Sequence, residues 1–187
     1  MTHDTRTPAA LSPLLPRLNP TRLILPVMSY PAEIDHRQFR NALGRFATGI
    51  TVVTIPHDGE VHGITVNAFM SVSLEPPLVV ISIDNQARAH QFLLSSTHYG
   101  VSVLNERQIH DSNRFAGRPA EGRAQFVTKE GFPLLAGALA HLICRITERH
   151  AVGDHTLFVG QVEYLAWQND RPLLYFAGEY AQLKEYS

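Results

Sequence analysis

The stretch that decides the fold of this chain runs Gly63-Ile64-Thr65-Val66-Asn67-Ala68-Phe69-Met70-Ser71-Val72-Ser73-Leu74-Glu75-Pro76-Pro77. It is rich in small and hydroxylated side chains but carries a single charge, Glu75. A solvated loop would hold more charge, and a buried strand would hold fewer hydroxyl groups. Small side chains let a flat ligand approach the backbone, whose N–H and C=O groups can then bind the edge of an aromatic heterocycle. The other interpretation is a β-strand with a Ser/Thr face toward water, ending in a Pro-Pro turn.

Strand-like segments surround this stretch on both sides. Val- and Ile-rich runs flank it at 50–55 and 78–83, and Asp58-Gly59 predicts a tight hairpin turn after the first run. The remaining predicted elements are helices at 35–47, 87–95 and 106–115, an irregular segment at 116–135, and strands at 99–104, 139–148, 156–167 and 173–177. No βαβ alternation is present, so we predict a mainly β fold: an antiparallel barrel of six to seven strands with short helices, in which closure removes bare strand edges.

Charge and composition narrow the possible functions. The chain has 16 Lys+Arg and 17 Asp+Glu, without the basic excess of a nucleic-acid binder or a polybasic segment for a membrane surface. The apolar patch at 23–28 is too short for a signal-peptide core or a membrane span. The single cysteine, Cys144, excludes an internal disulfide and a multi-cysteine metal site, and its alternating neighbours predict a buried strand position. We therefore predict a cytoplasmic protein that binds no nucleic acid, membrane or metal.

The N-terminal region differs in composition from the rest of the chain. Residues 1–31 hold six of the twelve prolines. Proline lacks a backbone N–H donor and disfavours helix in the residue before it. We predict a Pro-rich tail at 1–31, extended or partly disordered, followed by one domain at 32–187.

Common catalytic motifs are missing. The sequence has no G-x-S-x-G elbow, Walker motif, H-E-x-x-H or G-x-G-x-x-G. Its ten histidines lack acidic or cysteine partners at metal-ligand spacing. His155 stands out because it begins a predicted strand directly after Gly153-Asp154, where turn geometry could project it into a cleft. The alternative is a turn residue that is bonded to the backbone.

Four segments together resemble the flavin reductase domain, the reductase component of two-component flavin-dependent monooxygenases. The segments are 39–54, 63–79, Phe115-Ala116-Gly117, and Gly153-Asp154-His155 to Val162 followed by Tyr175-x-x-Gly178-x-Tyr180. They follow the family's order and spacing between residues 39 and 180. The N-terminal tail lies outside the resemblance.

The resemblance implies a fold, a reaction and partners. The fold would be an FMN-binding split β-barrel that forms a homodimer, and we expect the apolar strands at 50–55 and 156–162 to supply the interface. NADH or NADPH would transfer a hydride to FMN or FAD, and the reduced flavin would leave for a separate oxygenase. Because the hydride passes between two cofactors, the protein would contribute positioning and exclusion of water rather than acid–base chemistry.

The resemblance also assigns site residues. His155 would lie on the nicotinamide side as the catalytic-site residue, with Tyr180 beside it. The flavin-binding residues would be Thr65, Val66, Asn67 and Ala68 at the ring edge, Ser71, Val72 and Ser73 toward the ribityl chain and phosphate, Ser82 and Arg88 near the phosphate, and Phe115 and Gly117 over the ribityl or phosphate end. Ala87 and Ala89 stand where many relatives carry hydroxyl groups, so Arg88 would bear more of the phosphate binding.

Other functions remain open at this level. Some family members reduce a different acceptor such as a corrinoid cobalt, and a split barrel can also bind flavin or haem without catalysis. An oxidase of the pyridoxamine-phosphate type would need a Lys/Arg cluster for a substrate phosphate. The sequence shows no such cluster around 63–77.

Overall fold

The computed structural model describes residues 33–184, so the tail predicted at 1–31 lies outside the described residues. In chain order the elements are α1 (His36–Leu43), β1 (Thr48–Gly49), β2 (Thr51–His57), β3 (Glu60–Val66), β4 (Phe69–Leu74), β5 (Pro77–Asp84), α2 (Arg88–Ser95), β6 (His98–Val103), α3 (Ile109–Phe115), β7 (Phe126–Lys129), β8 (Phe132–Leu135), β9 (Ala140–Val152), β10 (His155–Trp167), β11 (Leu174–Phe176) and β12 (Glu179–Ala181).

One antiparallel sheet organises the molecule. Its seven strands follow the order β3-β2-β6-β9-β10-β5-β4, and all neighbouring pairs are antiparallel. Two smaller sheets, β1-β11-β12 and β7-β8, accompany it. The predicted mainly β, antiparallel architecture with short helices is therefore confirmed.

The hairpin between β2 and β3 follows the local turn signal. Asp58 and Gly59 both adopt positive φ, 50° and 78°. Two successive residues with positive φ give the turn type whose twist matches the two flanking strands. The Asp-Gly signal therefore predicted this hairpin correctly.

Two apolar clusters form the core. The larger one includes Val53, Ile55, Ile81 and Phe158, each fully buried, and the smaller one is built around Val52 and its neighbours. The side chains at 50–55 are thus buried in the core of their own chain. The expectation that this strand supplies a dimer interface is wrong, and in the strand at 156–162 the alternate residues from Thr156 to Gly160 are likewise buried.

Cys144 lies in the larger cluster, as predicted from its alternating neighbours. Burial raises the pKa of its thiol to about 12, so the group remains a protonated thiol at neutral pH. Within residues 33–184, no helix is long and apolar enough to cross a membrane.

Two predicted helix boundaries are wrong, each because a tertiary contact intervenes, and several short strands were not predicted. Helix α1 ends at Leu43 rather than at 47, since the Gly44 carbonyl accepts a hydrogen bond from Ala177 N. Helix α3 begins at Ile109 rather than at 106, because the amide of Glu106 donates to Arg171 O instead. The segment predicted to be irregular contains the β7–β8 hairpin, and β12 was not predicted.

Candidate functional site

The decisive stretch folds as the end of β3, a turn at Asn67-Ala68, and β4. The turn is tied from two directions. The Thr51 hydroxyl donates to Val66 O at 2.7 Å, and Ser82 N donates to Ala68 O at 3.1 Å. Asn67 and Ala68 are nevertheless exposed. The turn therefore presents a small side chain and an amide on a backbone that β2 and β5 hold in place.

A cavity of about 170 Å³ opens beside this turn. Its walls come from widely separated parts of the chain: Ile50, Thr65, Asn67, Ser112, Ala116, Arg118, Tyr175 and Tyr180. Three residues predicted from the sequence, Thr65, Asn67 and Tyr180, thus lie together. Small-molecule pockets usually enclose about 300–1,000 Å³, so this cavity would hold only part of a cofactor-sized ligand.

Polar groups of helix α3 form hydrogen bonds with side chains that line the cavity. The Thr65 hydroxyl donates to Ser112 O at 2.7 Å. The Tyr180 hydroxyl lies 2.7 Å from Asn113 Oδ1, to which it donates, and 3.0 Å from Ser112 Oγ. These bonds link β3, α3 and β12, and they fix the Thr65 and Tyr180 side chains before any ligand binds. Ser112 and Asn113 were not predicted, because they lie just before the matched segment at 115–117.

Phe115 packs directly on the β3 backbone. A Cβ added at Gly63 would lie 2.5 Å from Phe115 Cδ1, closer than side-chain carbons approach one another. The Phe115 ring also meets the edge of Phe126, with centroids 6.2 Å apart. Glycine at position 63 is therefore required for this face of α3 to dock.

The loop after α3 brings Ala116 and Arg118 to the cavity, and the predicted residue Gly117 lies between them. Gly117 has φ +70° and reverses the chain, and Arg118 N then donates to Asn113 O at 2.9 Å. The Arg114 guanidinium donates to the carbonyls of Glu121 and Gly122, both at 2.6 Å. Arg114 thus braces the loop that carries Gly117 and Arg118. Arg118 was not predicted as a site residue, although it follows the matched segment directly.

The other predicted strand residues lie on either side of the turn. Val66 is buried, whereas Ser71 and Val72 are exposed on β4, an edge strand of the main sheet. The β4–β5 register shifts between Ser71 and Ser73, which bulges the strand at Val72. Ser82 lies on β5 opposite Leu157 of β10 and is half-buried. A bulge beside a site re-aims the residues around it.

Helix α2 begins at Arg88, close in sequence to Ser82. Its N-cap, Ala87, provides no capping side chain. The first N–H groups of a helix have no partner within the helix and bind anions well. The Arg88 guanidinium lies 5.6 Å from the centroid of the Phe92 ring, and the Phe92 ring stacks on His62 at 4.0 Å. Arg88 is therefore held over an aromatic surface at an uncapped helix start.

His155 begins β10, opposite Asp84 of β5 and Val152 of β9. Its side chain is 41% exposed, and Nδ1 lies 2.7 Å from Asp154 Oδ1. The hydrogen bond and charge of His155 lower the pKa of the Asp154 carboxyl group. An ionised carboxylate only accepts hydrogen bonds, so it fixes the proton of a neutral ring on Nδ1 and leaves Nε2 as an acceptor.

The predicted residues thus form two groups. Thr65, Asn67 and Tyr180 line the cavity, whereas Ser82 and His155 lie on the paired strands β5 and β10. Arg88 begins α2, with its guanidinium over Phe92. The Ala68–Ser82 hydrogen bond joins the groups across the turn. A flat ligand that enters the cavity and extends past Ala68 would reach the second group.

Comparison with known proteins places this geometry in a family. The family described as "Flavin reductase like domain" matches residues 43–184. The chain is 44% identical over 156 residues to an NADH-dependent flavin reductase from a Rhodococcus species, covering 81% of this chain and 89% of that one. It is 42% identical to the reductase component of 4-hydroxyphenylacetate 3-monooxygenase from Thermus thermophilus, covering 78% and 95%. Among solved structures, the styrene monooxygenase flavin reductase from Pseudomonas putida matches with a TM-score of 0.75 and 38% identity, covering 80% and 99%.

Proposed function

Because this chain belongs to the flavin reductase-like domain family, we propose that it transfers a hydride from NADH to FMN or FAD and supplies the reduced flavin to a separate oxygenase. The observation that carries this proposal is the family match over residues 43–184, which includes all residues of the cavity beside the Asn67-Ala68 turn. The antiparallel sheet is the split β-barrel of these reductases. The relatives named above are flavin reductases or reductase components, and they lend no support to a corrinoid acceptor or to a non-catalytic binding role.

The residues around the turn fit a flavin. Ala68, Ala116 and Gly117 present little bulk, so a flat ring system can lie against the backbone. The exposed Asn67 amide can both donate and accept at a heterocycle edge. The uncapped start of α2, with Arg88, suits a phosphate. We propose that the flavin ring spans the turn between these two ends.

Bound flavin supplies the electrophilic ring nitrogen that takes the hydride. The chain's own residues would bind and orient the two cofactors. Thr65 and Tyr180 have their hydroxyl groups committed to α3, so they act as rigid walls that exclude water. His155 Nε2 can accept a hydrogen bond from the carboxamide N–H of the nicotinamide. Positioning of two reactants in this way removes much of the entropic barrier to their reaction.

The test is to follow NADH absorbance with riboflavin, FMN or FAD added to the purified protein. We expect oxidation of NADH that depends on flavin and saturates as flavin concentration rises. Reduction of an added electron acceptor such as cytochrome c should continue when a dialysis membrane separates it from the enzyme, because free reduced flavin crosses the membrane. If NADH is not consumed with any of the three flavins, the proposed function is refuted.

We propose a homodimer whose interface includes β4 and the end of β10. Five exposed apolar side chains lie there, each at least 50% exposed: Met70, Val72, Leu74, Leu165 and Trp167. A second exposed apolar set lies on and beside α1, which is not part of a sheet edge. β4 is also an edge strand, and such edges are normally covered or paired. A second copy over β4 would further enclose a ligand that the 170 Å³ cavity holds only in part.

The Leu74→Glu variant should convert this dimer to a monomer. Leu74 is 93% exposed in the single chain, so glutamate there costs the fold of one chain little, yet it would bury a charge in the dimer. Light scattering should show half the wild-type mass. Fluorescence of Trp167, the single tryptophan, should shift to longer wavelength. Leu94→Glu, at a 50% exposed position on α2, is the matched control and should remain dimeric. A wild-type monomer at micromolar concentration would contradict the proposal.

We also propose a cytoplasmic location. The proposed reaction consumes NADH, which cells hold in that compartment. A single, buried, reduced cysteine is compatible with a reducing compartment.

The His155→Ala variant should raise the KM for NADH or slow flavin reduction by about tenfold, the size of one lost hydrogen bond. Its flavin affinity should stay near the wild-type value. Because Nδ1 is engaged by Asp154, the contact to nicotinamide falls to Nε2. His155→Gln places an amide oxygen near that atom and should recover activity, whereas His155→Asn mimics the Nδ1 position and should recover less. Stopped-flow flavin reduction in all three variants is the measurement. Wild-type rates in His155→Ala with a lowered Tm would show that His155 only stabilises the turn.

A further inference from the structure

A chain of polar contacts, buried at His90 and Thr156 and exposed at Asn85 and Asp154, runs from α2 to the strand that begins with His155. His90 Nε2 lies 2.9 Å from the Thr156 hydroxyl oxygen, and that hydroxyl donates to Asn85 Oδ1 at 2.8 Å. The backbone N–H of Asn85 donates in turn to Asp154 O at 3.0 Å. His90 and Thr156 are only 9% and 6% exposed. The chain ends at the residue before His155.

The direction of each bond in this chain is determined. A threonine hydroxyl has one proton, and Thr156 gives it to Asn85 Oδ1. Its oxygen must therefore accept from His90, so Nε2 of His90 carries a proton. The His90 imidazole also has an apolar neighbour. The Phe158 ring packs edge-on against it, with the two ring centroids 5.8 Å apart. Water is thus largely excluded from the contact between His90 and Thr156, whereas Asn85 and Asp154 lie at the surface.

Packing alone does not explain why a polar side chain, His90, is buried between α2 and β10. A leucine would fill the space between α2 and β10 without the cost of desolvating an imidazole. What the imidazole adds is orientation: it fixes the Thr156 hydroxyl, which fixes Asn85, which holds the Asp154 backbone. Asn85 also lies between Asp84, the strand partner of His155, and α2, which carries Arg88.

We propose that His90, Thr156 and Asn85 are positioning residues that set the location of His155 for the nicotinamide. This inference rests on the proposed function. The three side chains act through the Asp154–His155 turn and do not themselves touch either cofactor. They connect β5, α2 and β10 at the point where those elements converge, so loss of one contact releases the turn while the barrel stays folded.

The test compares Thr156→Val with Thr54→Val. Both changes replace a buried strand hydroxyl by an isosteric methyl group. Thr54→Val removes one hydrogen bond, to Pro133 O at 2.7 Å, whereas Thr156→Val removes two, the one from His90 and the one to Asn85. Both variants should have a lower Tm than the wild type, with the larger loss in Thr156→Val because it removes two hydrogen bonds. Only Thr156→Val should raise the KM for NADH, by about fivefold or more, with FMN affinity unchanged. Thr156→Ser keeps the hydroxyl and should restore the wild-type KM. If Thr156→Val does not fold, His90→Leu replaces it, with His90→Gln as the variant that retains a donor.

Two outcomes separate this inference from the proposed function. If the wild type reduces flavin and Thr156→Val matches Thr54→Val in KM, the positioning role is refuted. If the wild type has no reductase activity, NMR decides the question without turnover. Thr156→Val should then shift the His155 imidazole signals and speed amide exchange at Asn85, while Thr54→Val changes neither. Unchanged His155 signals in Thr156→Val would refute the inference on that route too.

Discussion

The Arg88→Gln variant should bind FMN about 10- to 100-fold more weakly than the wild type, while its affinity for riboflavin stays unchanged. Only FMN carries a phosphate, and a charge-assisted contact is worth about 1.5–3 kcal/mol. Arg88 stands at the uncapped start of α2, whose first N–H groups are available to the same phosphate, and its guanidinium lies over Phe92 one turn along the helix. Because Arg88 is exposed, the difference between the two flavins should shrink at high salt. Fluorescence titration of both flavins measures it.

Arg118→Gln is the matched variant, because it removes the same charge from the cavity on the α3 side. We expect it to leave the ratio of FMN to riboflavin affinity at the wild-type value. A collapse of that ratio in Arg118→Gln, with no change in Arg88→Gln, would place the phosphate beside α3 and would contradict the assignment at α2.

The Gly160→Ala variant should lower the Tm by roughly 3–10 °C, because overpacking a well-filled core costs about 1–3 kcal/mol. Gly160 lies in the middle of β10, between β5 and β9. A Cβ there would lie 2.8 Å from both Cys144 Cβ and Tyr99 Cζ, and it would also contact the Tyr99 hydroxyl. Tyr99 and Cys144 are completely buried, so neither side chain can move aside into solvent. Thermal unfolding at matched protein concentration is the measurement.

Two further variants isolate the cause. Gly49→Ala adds the same atom in a strand where nothing lies within 4 Å, so it should unfold like the wild type. In the Tyr99→Phe background, which lacks the hydroxyl group, Gly160→Ala should cost less than it does alone. Equal losses in the two backgrounds would show that the contact with Tyr99 is not the source.

Local signals predicted much of the fold. Asp58-Gly59 determined a hairpin because both residues tolerate positive φ, and the Val- and Ile-rich runs became strands because a pleated surface suits their shape. The boundaries that failed depended on distant partners: Ala177 ends α1, and Arg171 delays α3. No local pattern reports such contacts. The neighbours of β5 were equally beyond local signals, since one of them is β10.

In the candidate site, too, the residues with a local sequence signal were predicted and those that depend on distant contacts were not. Thr65, Asn67 and Tyr180 belong to segments with a recognisable family pattern, and the structure brings them to one cavity. The roles of Ser112 and Arg118 arise only from how α3 docks on Gly63 and how Gly117 reverses the chain. The roles proposed for the predicted residues remain predictions that the variants above test.

The pairing of β5 with β10 also has a consequence for synthesis on the ribosome. Asn85 and its partner Thr156 are 71 residues apart. At a synthesis rate of about 5–20 residues per second, β5 is therefore complete roughly 4–14 s before β10 begins to be synthesised. During that interval the β4–β5 hairpin has a bare edge, and Val79, Ile81 and Ile83 are without the core that later buries them. Slow codons between 85 and 154 should therefore lower the soluble yield and increase dependence on chaperones, whereas the same codons after 167 should not.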